Sequence, residues 1–265
     1  MPVKPASIIK SVLVQKEGTV ATVSLNRPEV LNALNKEMMQ ELNKELKSLS
    51  LDDDISIIVL KGNGGAFCSG GDIKSMFNLG TEKDFYHIMD CISELAMCLY
   101  TMPKLTITAV HGAAAGLGFS LALATDCIIA EKDSKVAMNF IGIGLIPDGG
   151  GHFFLERRLG ELNTMKLIWD GEVMKAPQAL EMGLVDIIAE GRLEEAVNAK
   201  VAEWKHKPLQ AMIRTKKILA ETKRPQLLKI LELEKGSQLV MRQTEDHQEG
   251  IKAFVEKRKP VFKGK

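Results

Sequence analysis

Runs of β-branched and apolar residues alternate with helical periodicities through the first half of the chain. Val12–Gln15 and Val20–Asn26 flank Lys16-Glu17-Gly18, a pattern that predicts a hairpin with Gly at the turn. After Arg27-Pro28, apolar residues Met38, Leu42, Leu46 and Leu49 recur at spacings of 4, 4 and 3, so Asn35–Leu49 reads as an amphipathic helix with Asn35 as its N-cap. Ile55–Leu60 is a short apolar run suited to a buried strand. A glycine-rich loop, Gly62–Gly71, and a helical stretch from Thr81 to Tyr100 follow it. Leu105–Val110 repeats the buried-strand pattern, and then come a second glycine-rich loop, Gly112–Gly118, an apolar helix to Ala124 and a strand at Cys127–Ala130. Strand, loop, helix and strand in repetition predict an α/β fold with a parallel sheet and crossover helices.

From Gly151 onward the pattern is nearly all helical, apart from a short run at Leu184–Ile188. Glu194–Trp204, Leu209–Glu221, Pro225–Met241 and Glu245–Glu256 are predicted as separate helices, with Pro225 opening a new one. No Ser/Gly-rich or Pro-rich linker and no internal repeat divides the chain. The expected organisation is a core over residues 1–200 with a helical extension over 201–265.

Composition narrows the partners. In 265 residues, 35 Lys and Arg stand against 34 Asp and Glu, so no global field draws the chain to nucleic acid or to an anionic membrane. No run of about 18 uncharged apolar residues is present, and the N-terminus lacks a long apolar run ending in a cleavage site. The expectation is a soluble cytoplasmic protein with a small-molecule partner. Cys68, Cys91, Cys98 and Cys127 form no C-x-x-C pair and have no His at metal-ligand spacing, so neither a zinc site nor a disulfide framework is expected.

Three segments are too rich in small residues to be ordinary connections: Ala66–Lys74, His111–Phe119 and Ile143–Gly151. Glycine lets a backbone approach a ligand closely. The first two segments each follow a buried strand and lead into a helix, whose start offers unpaired N–H groups to a carbonyl oxygen that becomes an enolate. Rival motifs miss on spacing. There is no G-x-x-x-x-G-K-[ST], Gly142-Ile143-Gly144-Leu145-Ile146-Pro147 fails G-x-G-x-x-G at its last position, and Gly118-Phe119-Ser120-Leu121-Ala122 ends one residue short of a nucleophile elbow. His111 and His152 flank the loops as further acid/base candidates. Asp148 precedes Gly149, and Asp-Gly is equally a common turn pair.

In order along nearly the whole chain, Asn26–Leu34, Phe67–Lys74, Gly112–Gly118, Gly144–Gly150 and Ala253–Lys259 resemble the enoyl-CoA hydratase/isomerase (crotonase) family. The resemblance implies a spiral of ββα units with a C-terminal helical trimerisation region, assembling as trimers or dimers of trimers. It implies an acyl-CoA substrate and no cofactor beyond the coenzyme A that the substrate carries. By motif position, the backbone N–H groups of Gly71 and Leu117 would hold the thioester oxygen. Coenzyme A would lie along Asn32, Ala33, Leu34, Gly70, Asp72, Ile73 and Lys74, with Phe254 and Lys257 supplied by the C-terminal helix of a neighbouring subunit. The basic tail, Lys257, Arg258, Lys259, Lys263 and Lys265, is a place for its phosphates.

The chain departs from the family where hydratases carry two glutamates. Those positions are Ser120 and Phe140, and neither side chain takes a proton from water. Asp148 remains, at a loop position where some isomerases of the family keep a catalytic acid. Phe119, Ser120 and Phe140 are then expected around a dry acyl pocket that raises the pKa of that acid. The leading expectation is an enoyl-CoA isomerase that shifts a double bond by moving one proton through Asp148. The alternatives are an enoyl-CoA hydratase using another acid, and a CoA-ester-binding protein that has lost the chemistry.

Overall fold

The computed structural model describes residues 10–73 and 81–265. The expected hairpin forms from β1 (Val12–Glu17) and β2 (Val20–Leu25), turning at Gly18. Helix α1 (Lys36–Ser50) starts where its cap predicts, with the Asn35 side chain accepting the Met38 N–H at 3.0 Å. Strand β3 (Ile57–Gly62), helix α2 (Glu82–Thr101) and strand β4 (Leu105–Val110) follow. Then come β5 (Ala113–Ala115), α3 (Leu117–Leu123), β6 (Cys127–Glu131), β7 (Lys135–Ala137) and a 3₁₀ turn over Asn139–Ile143. The rest comprises α4 (Gly151–Leu159), α5 (Glu161–Asp170), β8 (Val173–Lys175), α6 (Ala176–Glu181), β9 (Ile187–Ala189), α7 (Leu193–Lys205), α8 (Leu209–Met241) and α9 (Glu245–Glu256).

Six strands form the main sheet in the order β1-β2-β3-β4-β6-β9, parallel except for the β1/β2 hairpin. Alternation along its central strands separates two cores. Ile58, Leu60 and Val110 face the larger core with α1, α2 and α3, whereas Ile57, Val59, Leu105 and Ile107 face a smaller one closed by Val197, Trp204 and Ile213 from α7 and α8. A strand buried on both faces is therefore apolar at consecutive positions, as the runs in the sequence are. Among the described residues no helix is long and apolar enough to cross a membrane.

The structure corrects two expectations about elements. A second sheet, β5-β7-β8, lies where a glycine-rich loop and helical sequence were expected. Ala113–Ala115 carries no β-branched signal; its strand state comes from pairing with β7 and from the bridge of Cys68 to Ala114. Pro225 also does not start a helix. It sits inside the continuous 33-residue α8, on an exposed turn, while Ala220, Leu227 and Leu231 carry the buried stripe past it. Proline removes one intrahelical bond there without displacing the packed face.

Candidate active site

The first two glycine-rich segments meet edge to edge. Cys68 pairs with Ala114 and Leu34 with Gly71, with Leu34 N–H donating to the Gly70 carbonyl at 2.8 Å and Ala115 N–H to the Cys68 carbonyl at 3.0 Å. Gly118 allows this contact, because a Cβ there would stand 2.7 Å from the Cys68 sulfur and 2.8 Å from its carbonyl oxygen. Buried Asn32 ties the Asn26–Leu34 segment to the same point. Its amide nitrogen donates to the carbonyls of Asn63 and Ala66 at 2.9 and 2.8 Å, and its oxygen accepts the Arg27 N–H at 2.9 Å. Neither the Gly71 nor the Leu117 N–H donates to an acceptor among the described residues. Both line one cavity of about 300 Å³.

The walls of that cavity are largely apolar: Met39, Ile88, Ile92, Phe140, Ile143 and Leu145 among others. Asp148 is the one carboxylate on its lining among the described residues, and it is only 2% exposed. Its Oδ2 accepts one long hydrogen bond, from Gln238 Nε2 at 3.4 Å, and its buried Oδ1 accepts none among the described residues. Burial pushes this carboxyl up to about 7, the nearby Glu234 charge pushes the same way, and the Gln238 amide opposes both. A carboxyl poised near neutral pH takes a proton from carbon and gives one back.

The loop that carries Asp148 is held from α8. Glu234, itself 2% exposed, accepts the Gly150 N–H at 2.8 Å, the His152 N–H at 3.2 Å and His152 Nδ1 at 2.8 Å. It thereby takes up orphan donors at the start of α4. One turn further along α8, Gln238 reaches the Asp148 carboxylate through its nitrogen, and its oxygen accepts the Ile146 N–H at 3.3 Å. Neither residue stands out in the sequence, where both fall inside the predicted helix Pro225–Met241. Their signal is spacing, since the buried stripe Ala220, Leu227, Leu231 continues into Glu234 and Gln238 at helical intervals.

Other expected site residues separate. Phe140 lines the cavity, but Phe119 and Ser120 do not: both are fully buried in α3, where Ser120 Oγ lies 3.5 Å from the Gly116 carbonyl and 3.7 Å from the Met138 sulfur. A seven-residue helix packed on every side turns these two side chains into the core rather than toward the ligand space. Gly70 and Ile73 line the cavity, Asp72 pairs with Arg27 at 3.1 Å, and Ala33 and Leu34 are buried beside Gly70. Lys74 lies outside the described residues. Phe254 lines the cavity from this same chain. Helix α9 folds back onto the 3₁₀ turn, where Gly250 brings it so close that a Cβ would stand 2.6 Å from the Ile143 Cα. Lys257 ends α9 in the left-handed region and is exposed away from the cavity lining. His111 faces a different, larger groove of about 610 Å³ beside β1 to β4, with Nε2 2.9 Å from the Gly64 carbonyl. That groove mixes Glu17, Lys61, Glu131 and Arg192, so charges of both signs border it without converging.

Comparison with known proteins agrees with this geometry. The enoyl-CoA hydratase/isomerase family matches residues 15–265. The chain is 46% identical over 245 residues to the enoyl-CoA hydratase/isomerase homologue YhaR of Bacillus subtilis, covering 92% of this chain and 96% of that one. It is 30% identical to the trans-2-decenoyl-[acyl-carrier-protein] isomerase of Streptococcus mutans, over 97% of this chain and 99% of that one. Among solved structures, an enoyl-CoA hydratase from Mycobacterium avium subsp. paratuberculosis superposes with a TM-score of 0.87 at 27% identity, covering 96% of this chain and 99% of that one. Two glycine-rich loops presenting main-chain donors to an apolar cavity, on a fold shared almost end to end, place the chain in the enoyl-CoA hydratase/isomerase (crotonase) family of acyl-CoA-processing enzymes.

Proposed function

We propose that the protein is an enoyl-CoA isomerase that moves a double bond from the β,γ to the α,β position of an acyl or ring-containing thioester. Coenzyme A runs along Asn32–Leu34 and Gly70–Lys74, and the thioester oxygen accepts the Gly71 and Leu117 N–H groups. Asp148 removes the α-proton, whose bond electrons pass into the dienolate held by those two donors. The same carboxyl then delivers its proton to the γ-carbon, so the double bond shifts and no atom is gained or lost. The observation that carries this reading is that Asp148 is the one carboxylate among the described residues on the lining of an apolar cavity that Phe140 also lines; by the resemblance, Phe140 and Ser120 occupy the positions of a hydratase's two acids. One carboxylate is enough for a proton shuttle and too few to hold and activate water by the family's hydration route.

The enzyme works as a trimer or a dimer of trimers, a reading supported by the apolar side chains that α8 leaves exposed, among them Ile218, Leu219, Leu233 and Val240. Sedimentation of the purified protein tests the assembly. For the chemistry, a 3-enoyl-CoA is supplied while conjugated and hydrated products are followed separately. Asp148→Asn is expected to lower isomerisation by about 10²–10⁴-fold. Wild-type isomerisation by that variant, or rapid hydration of crotonyl-CoA by the native enzyme, overturns the assignment.

A further inference from the structure

We propose that Glu234 and Gln238 are positioning residues for the reaction: from one face of α8 they fix the Asp148 loop and orient the carboxyl toward the cavity. This rests on the reading of Asp148 as the base. Glu234 takes three donors from Gly150 and His152, immediately after the Asp148-Gly149 turn, and Gln238 spans from the Ile146 N–H on one side of Asp148 to its Oδ2. Both side chains are 2% exposed. A buried carboxylate is costly to keep inside a protein unless its hydrogen bonds are made, and here every recorded bond to Glu234 comes from the catalytic loop and the start of α4. Gln238 donates to one oxygen of Asp148, and among the described residues Oδ1 has no donor.

The two residues act on the carboxyl in opposite directions. The charge of Glu234 favours the protonated acid and the Gln238 amide favours the carboxylate. Among the described residues, the other charged and titratable groups around this site are His152 of α4, engaged by Glu234, and Lys36 of α1 on the cavity lining. Arg242 and His247 border Ile143 in the adjoining pocket, and Asp90 of α2 pairs with Lys235 at the surface.

Two variants and two readouts test the proposal: kcat/KM against pH for a 3-enoyl-CoA, and the ¹³C NMR titration of the carboxyl resonance that disappears in Asp148→Asn. Glu234→Gln is expected to move the acid limb and the titration to lower pH by about one unit, and Gln238→Met to move both upward by a similar amount. Gln238→Met is also expected to lower kcat by about tenfold or more with little change in KM, since a small misplacement of a reacting group costs rate rather than binding. Folded variants that leave both readouts in place, or that shift them in the same direction, overturn the proposal. Should Glu234→Gln fail to fold, Gln238→Met still decides it, because its limb must rise. If Asp148→Asn keeps full activity the catalytic reading falls while the NMR titration still judges Glu234 and Gln238. If Asp148→Asn is inactive and the titration of the folded variants is unmoved, the reverse holds.

Discussion

A carboxylate buried among apolar side chains, as Asp148 is, is held in a state the protein would otherwise avoid. The folded Asp148 carboxyl keeps its proton up to about 7, whereas the unfolded residue releases it near the ordinary aspartate value of 3.8. Between those values the folded state binds more protons, so this residue's contribution to stability falls as pH rises through the window, and the loss is complete above about 7. Asp148→Asn, which removes the charge and keeps the shape, is therefore expected to stabilise the fold by about 2–4 kcal/mol at pH 8 and by much less at pH 4. Urea unfolding of both proteins at the two pH values measures this; equal differences at both would show that the carboxyl is not strained by its surroundings. Activity has the opposite sign, because only the ionised base accepts the α-proton. Isomerisation is expected to rise through an apparent pKa near 7, and the variant that gains stability loses rate.

At the scale of elements, α8 is the part the sequence concealed. Strand and helix positions around the glycine loops follow from strong local signals: consecutive apolar residues at Ile57–Leu60 and Leu105–Val110, an Asn cap before Lys36, and loops too small for ordinary packing. The loops and Asp148 could be found this way because glycine, proline and a lone acid are visible without tertiary knowledge. Ala113–Ala115, Lys135–Ala137 and Val173–Lys175 could not, since three-residue strands owe their state to partners distant in the chain. Pro225 misled for a related reason: its local meaning is a helix start, and the buried stripe on both sides of it overrides that meaning. Because Pro225 is exposed and only withholds a backbone donor, Pro225→Ala is expected to raise stability by about 1–3 kcal/mol with the site unchanged. A lower midpoint in thermal unfolding would mean that the proline itself serves the packing of α8.

Across the whole molecule, the helical end is not an appendage. Lys216 of α8 is almost fully buried, with Nζ 2.8 Å from Asp126 Oδ2 and from the Lys104 carbonyl and 3.3 Å from the Leu99 carbonyl, so one ammonium joins α8 to the main sheet and to the end of α2. Burial lowers its pKa and Asp126 opposes that shift. Removing the ammonium takes the charged partner from Asp126, which keeps its two Thr106 donors, and a donor from two carbonyls; Lys216→Ala is expected to cost about 2–4 kcal/mol in denaturant unfolding, the lower figure allowing for those remaining bonds and the partial exposure of Asp126. A cost below about 1 kcal/mol would show that the pair is replaced by solvent. The same helix thus reaches from the sheet, through Lys216, to the Asp148 loop, through Glu234 and Gln238.

The thioester donors assigned to Gly71 and Leu117 belong to the main chain, whereas the acid belongs to a side chain. Point mutation can exchange, add or remove an acid around the cavity without touching the peptide N–H groups. On a scaffold of this kind the reaction can therefore change through a handful of cavity side chains while the proposed main-chain donors stay in place.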